Sequence, residues 1–147
     1  ECMLQMDPGA IVTIGMREQT GPGSGYYIRL WPAQKEIELG GPGMRFPQKC
    51  EFDASQPIKV QAFVDDSIIE CFVNDAYAFT CRAYDHRTGK LGLSVTGGTF
   101  ALLGLKVKVS DPMPSPFTII HAKTDALGGN ATFAGQLTAA LADRVYV

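Results

Sequence analysis

The sequence predicts an all-β fold, an antiparallel two-sheet β-sandwich of the concanavalin A-like or jelly-roll-like kind. Three observations carry this expectation. Short runs of alternating or β-branched residues recur through residues 1–109, separated by Gly, Pro, Asn and Asp. The 16 glycines and 9 prolines make up about 17% of 147 residues, against an average near 12%, so many turns are required. No helix-period stripe appears before residue 110, so packed sheets are the layer architecture left.

The elements follow in order. Cys2–Met6 alternates and is closed by the turn Asp7-Pro8-Gly9. Residues 10–16 carry Ile11, Val12, Thr13 and Ile14 and read as a second strand. After the loop Gly21-Pro22-Gly23-Ser24-Gly25 comes the aromatic strand Tyr26–Trp31, closed by Pro32. Residues 36–39 form a short strand before Gly40-Gly41-Pro42-Gly43, and residues 44–57 read as irregular, with room for one short strand. The densest pattern is strand 58–64, turn Asp65-Asp66, strand 67–73, turn Asn74-Asp75 and strand 76–84. A polar loop, residues 85–89, leads to Lys90–Thr96 and residues 99–109, read as a hairpin around Gly97-Gly98. Residues 1–110 are thus expected as the sandwich domain and 111–147 as linker and tail. In the tail, residues 111–116 read as an extended linker and 117–121 as an edge strand. Phe133, Leu137 and Leu141 place a helical stripe on residues 131–142, with a disordered end as the alternative.

Composition narrows the function classes. A length of 147 residues suits one domain able to bury a core without staples. Thirteen basic and fifteen acidic residues give a net charge of −2, so no nucleic-acid partner is expected. No apolar run approaches the ~18 residues of a membrane helix, and no membrane partner is expected. There is no Cys-x-x-Cys pair, and His86 and His121 lie far apart, so neither a metal nor a cofactor is expected. Cys2, Cys50, Cys71 and Cys81 read as buried free thiols. The chain begins Glu-Cys-Met-Leu and reads as a mature or excised piece of a longer protein.

Candidate site residues come from strand parity. Ile68, Glu70 and Phe72 share one face of their strand, as do Tyr77, Phe79, Cys81 and Ala83 in the next. A two-residue turn, at Asn74-Asp75 or at Asp75-Ala76, puts Phe72 with Phe79 and Glu70 on their face. It also sets Cys71 and Cys81, and likewise Glu70 and Arg82, on opposite faces. A carboxylate on so apolar a face needs a partner. It is either an acceptor for ligand hydroxyls, or a buried glutamate satisfied by backbone N–H groups or an arginine. Tyr27, Arg29 and Trp31 share a face, which suits a sugar platform or packing at a sheet edge. Arg82 and Tyr84, near Asp85 and His86, form a rim cluster or a solvated face. Asp66 is a hydroxyl or calcium ligand, or a turn former. No Gly-x-Ser-x-Gly elbow occurs and no spacing selects a pair of carboxylates, so no catalytic residue is assigned.

The run from Val64 to Asp75 resembles a signature of the C-terminal sandwich of glycoside hydrolase family 32, Asp-Arg-Ser-x-x-Glu-x-Phe-x-Asn. Asp65, Ser67, Glu70, Phe72 and Asn74 match, and Asp66 replaces the Arg. Arg82-Ala83-Tyr84 resembles the family's Ser-Arg-x-Tyr, and Leu91-Gly92-Leu93 with Gly97-Gly98 its later Gly-rich hairpin. The resemblance covers about residues 1–109 and is most specific over 58–100. Such enzymes, similar to invertases, inulinases and levanases, join a catalytic propeller to this sandwich. The propeller's motifs are absent here. The resemblance therefore implies a non-catalytic accessory domain of an enzyme acting on fructose-containing glycans, extracellular or periplasmic, with a propeller as partner. The first alternative is a carbohydrate-binding module for terminal fructose, with Asp66, Glu70, Arg82, Tyr84 and the platform Trp31 as contacts. The others are an adhesion sandwich without a sugar ligand and a self-contained enzyme.

Overall fold

The computed structural model describes residues 1–51 and 53–108, and the strand at residues 131–135. The strands are β1 (Cys2–Met6), β2 (Ile11–Glu18), β3 (Tyr26–Trp31), β4 (Glu36–Gly41), β5 (Met44–Lys49), β6 (Ile58–Asp65), β7 (Ile68–Val73), β8 (Tyr77–Arg82), β9 (Lys90–Thr96), β10 (Phe100–Leu105) and β11 (Ala131–Gly135). They form two antiparallel sheets, in the orders β10-β1-β6-β7-β8 and β11-β9-β2-β3-β4-β5. The expected β-sandwich is the observed fold.

Alternation builds the core. The first sheet turns Leu4, Ile58, Val60, Ile69, Cys71 and Val73 inward, and the second turns in Val12, Ile28, Leu30, Ile37 and Leu39. Each such aliphatic side chain contributes about 1.5–3 kcal/mol on full burial. Tyr26, Ile28 and Leu30 face in while Tyr27, Arg29 and Trp31 line the outer side, as parity requires. The irregular stretch contains β5, joined to β4 by Pro42-Gly43 with Gly43 at φ 68°. Pro47 hid this strand in the sequence. It is tolerated because β5 is an exposed edge, where a missing N–H breaks no ladder.

Three expectations are corrected. First, β9 and β10 do not form a hairpin, because they lie in different sheets. Gly97-Gly98 is a corner between sheets, clasped to the other corner at Asp7-Pro8-Gly9. The Asp7 N–H donates to the Thr99 carbonyl at 3.0 Å, and Asp7 Oδ2 accepts from the Thr99 N–H at 2.7 Å and Oγ1 at 2.8 Å. A Gly-Gly pair between two strands has the same sequence signature in a hairpin and in a corner.

Second, the β7–β8 loop has three residues, since Val73 stands opposite Tyr77. Asn74 and Asp75 both adopt positive φ, 51° and 55°. Asn74 is tied to β6 in both directions: its N–H donates to the Lys59 carbonyl, and its Oδ1 accepts from the Lys59 N–H. An odd loop reverses the parity. Cys71 opposes Phe79 and Cys81 opposes Ile69, so both cysteines face the core. Phe72 stands opposite Ala78 on the outer face, and Phe79 is buried.

Third, residues 131–135, assigned to a helix by their spacing, form β11, pairing with β9 from Ala131–Val95 to Gly135–Leu91. The pairing satisfies the outer edge of β9, a demand that a local periodicity does not register. The linker at 111–116, the edge strand at 117–121 and the remaining helix at 136–142 lie outside the described residues.

Candidate functional site

Three of the five candidate residues meet at one end of the sandwich. Asp66, at φ 43°, sits in the β6–β7 turn. In β2 the register shifts between Gly15 and Glu18, and Arg17 adopts φ 55° within that bulge. The Arg17 guanidinium donates to the carbonyls of Asp66 and His86, while Arg87 pairs with the Asp66 carboxylate. Arg82 Nη1 donates to Ser67 Oγ at 3.1 Å, and the Ala83 N–H to the Ser67 carbonyl at 2.7 Å. Tyr84 is 64% exposed beside them. Inside this end, Tyr26 Oη accepts from the Asp85 N–H, and its ring meets His86 edge-on at 6.4 Å. Arg17 and Arg87 were not singled out in the sequence, because an arginine that binds carbonyls of distant turns leaves no local pattern.

Glu70 is placed differently from its expectation. It lies half-buried on the outer face of the first sheet, between Phe63 of β6 and Thr80 of β8. The odd loop puts Arg82 on that same outer face, so the expected separation of Glu70 from Arg82 is also corrected. Phe63 and Phe72 meet edge-to-face nearby, 5.8 Å between centroids. Trp31 is remote from all of these. It lies on the outer side of the second sheet, at the far end of β3 from Tyr26, roughly 17 Å along the strand. The five residues therefore do not form one site.

The outer side of the second sheet carries a network centred on Glu38, which the sequence reading missed. Glu38 stands opposite Arg29 and is 2% exposed. Its Oε1 accepts from Tyr27 Oη at 2.8 Å and Arg29 Nη1 at 3.2 Å, and its Oε2 accepts from Arg45 Nε at 2.8 Å and from Arg45 Nη2. The Arg29 guanidinium also lies 4.7 Å from the Tyr27 ring centroid. A Cβ on Gly40 would fall 2.3 Å from Tyr27 Cζ, so this glycine lets the ring lie flat on the sheet. Burial pushes the Glu38 carboxyl up, but hydrogen bonds from Arg45 and Tyr27 and the Arg29 charge outweigh it and hold it below its ordinary value. So saturated a carboxylate is a bracket across β3, β4 and β5, and it has no capacity left for acid–base work. Its signal in the sequence was the Glu36-x-Glu38 alternation, legible only once β4 is registered against β3.

Glu18 is the second buried carboxylate. It lies over Gly15 and Gly92, where a Cβ would come within 2.1 and 2.0 Å of its oxygens, and it accepts from the Gly23 N–H at 2.9 Å. Burial pushes its carboxyl up. Among the described residues no group of three or more His, Cys, Asp or Glu side chains could hold a metal ion, and no helix is long and apolar enough to cross a membrane.

A family model described as glycosyl hydrolases family 32 C terminal matches residues 33–110, more than half of the chain. Neither the curated proteins nor the solved structures gave a match. The matched stretch runs from β4 through β10 and includes the β6–β7–β8 unit that carries Asp65, Ser67, Glu70, Phe72 and Asn74. On this match and its two-sheet fold, the chain belongs to the C-terminal domains of glycosyl hydrolase family 32.

Proposed function

We propose that the chain serves as the non-catalytic sandwich of a family-32-like enzyme acting on fructose-containing glycans outside the cytoplasm, and that its partner is a catalytic propeller. The observation that carries this reading is the family match across β4–β10. The buried Glu38 carboxylate supports it, since Tyr27, Arg29 and Arg45 take up its acceptor positions. The outer face of the first sheet, with half-buried Phe63, Ile68 and Phe72, is the surface offered to the propeller.

Co-expression with a family-32 propeller that lacks its own sandwich tests this reading. A one-to-one complex by light scattering, with a propeller Tm above that of the propeller alone, is expected. Two separate species with unchanged Tm would overturn it. A second reading, a module gripping terminal fructose, is favoured by exposed Tyr84 beside Arg82 and Asp66. It requires that Tyr84→Ala abolish calorimetric binding of inulin or levan oligosaccharides. Heat that Tyr84→Ala leaves unchanged, or no heat at all, counts against it.

A further inference from the structure

The clasp between the two inter-sheet corners forms one wall of a cleft that none of the sequence-selected residues reaches. The cleft has a volume of about 420 Å³, and its lining includes Gln5, Asp7, Ser55, Thr99 and Phe100. That volume falls in the ~300–1,000 Å³ range of small-molecule sites. Both sides are braced by the protein itself. On one side Asp7 Oδ2 takes both bonds from Thr99, and the Asp7 carbonyl accepts from the Ala10 N–H at 3.0 Å. On the other, Gln5 Nε2 donates to the Ala54 carbonyl at 2.8 Å, and the Ser55 N–H to Asp53 Oδ1 at 2.9 Å.

These bonds leave specific capacity unused. Asp7 Oδ1 and the Ser55 hydroxyl have no hydrogen-bond partner among the described residues. The Thr99 side-chain and backbone bonds hold the Asp7 carboxyl below its ordinary value, so it is an anionic acceptor at neutral pH. Among the described residues no Lys, Arg or His lines the cleft, so these residues offer an anionic ligand no counter-charge. What remains is a fixed acceptor, a hydroxyl able to donate or accept, and an apolar edge at Phe100, which is half-buried against the core that holds Met6. A ligand that meets all three presents several hydroxyl donors on one edge and a C–H surface on the other.

We propose that this cleft is a saccharide-binding site: Asp7 Oδ1 accepts from ring hydroxyls, Ser55 Oγ bonds a neighbouring hydroxyl, and Phe100 packs on the C–H face. The site is separate from the Tyr84 end and does not depend on the propeller reading.

The test is amide-resolved NMR titration of the full chain with sucrose, inulin and levan oligosaccharides and cellobiose, with choline chloride as a cationic control. Two variants accompany it. Asp7→Asn keeps an oxygen for Thr99 and removes the charge. Ser55→Trp fills the cleft from an exposed position whose backbone bond does not require serine. Saturable shifts at Asp7, Ser55, Thr99 and Ala101 with at least one saccharide are expected. Asp7→Asn should weaken them about tenfold, and Ser55→Trp should abolish them with the remaining spectrum unchanged. Shifts confined to Asp66, Arg82 and Tyr84, shifts with choline alone, or no shifts with any saccharide would each overturn the assignment.

Discussion

Glu38 shows how much one side chain on an outer sheet face can hold. Three side chains from β3 and β5 converge on its two oxygens, and its net pKa displacement is downward. A carboxyl whose folded value is depressed adds stability above its unfolded value, here near 4.5, and that contribution is lost as pH falls through the folded value. Glu38→Gln should therefore destabilise the protein by about 1–3 kcal/mol at neutral pH, because two arginines lose their shared anion. The deficit relative to the unsubstituted chain should shrink below pH 4.5. Urea unfolding at neutral and acid pH checks both parts, and equal midpoints at neutral pH would contradict the bracket. At this scale the sequence was half legible. It placed Tyr27, Arg29 and Trp31 on one face, but it could not tell which carboxylate stands opposite Arg29. That pairing is fixed by the Pro32–Gln34 turn and the β3–β4 register, with Trp31 opposite Glu36 and Arg29 opposite Glu38.

Among the elements, the β7–β8 loop decides most about the surface. With Asn74, Asp75 and Ala76 in the loop, Phe79 and Cys81 face the core and Arg82 faces outward with Glu70. Deleting Ala76 would leave a two-residue turn and shift β8 by one residue, which exchanges its two faces. The loss of Phe79 burial alone sets the expected cost at more than about 3 kcal/mol. Chemical unfolding of the deletion variant measures this, and an unchanged midpoint would mean that the loop does not set the register. The sequence located this turn but not its count, because Asn-Asp followed by Ala fits loops of two or three residues equally well. β11 was misread for a related reason. The stripe of Phe133, Leu137 and Leu141 suits a helix by spacing, and the open edge of β9 makes residues 131–135 a strand.

For the molecule as a whole, the two sheets close over all four thiols. Cys2, Cys50, Cys71 and Cys81 are free and buried. Burial raises Cys2 and Cys50 to about 11, and it pushes Cys71 and Cys81 up as well. Near pH 8 each thiol should therefore stay protonated and shielded. Titration with a disulfide reagent should find no rapidly reacting thiol in the folded protein and all four in concentrated guanidinium. A fast equivalent before unfolding would place one cysteine outside the core. Burial of these cysteines was legible in the sequence, since free cysteine behaves as a small apolar residue. That Cys71 and Cys81 share one face was not.

By itself the sequence determined the all-β class, eight of the strands close to their observed bounds, the division of β3 and β7 into two faces, and the resemblance over β6–β8. Each of these rests on local alternation, turn chemistry or a short motif, and a strand reveals its period-two pattern without its partners. Tertiary structure alone decided the assignment of β9 and β10 to different sheets, the parity of β8, the Glu38 and Asp66 ion pairs and the cleft beside Asp7. All of these depend on which distant strands pair and in what register, and register is set by the whole core because one residue of slip turns every inward side chain to solvent.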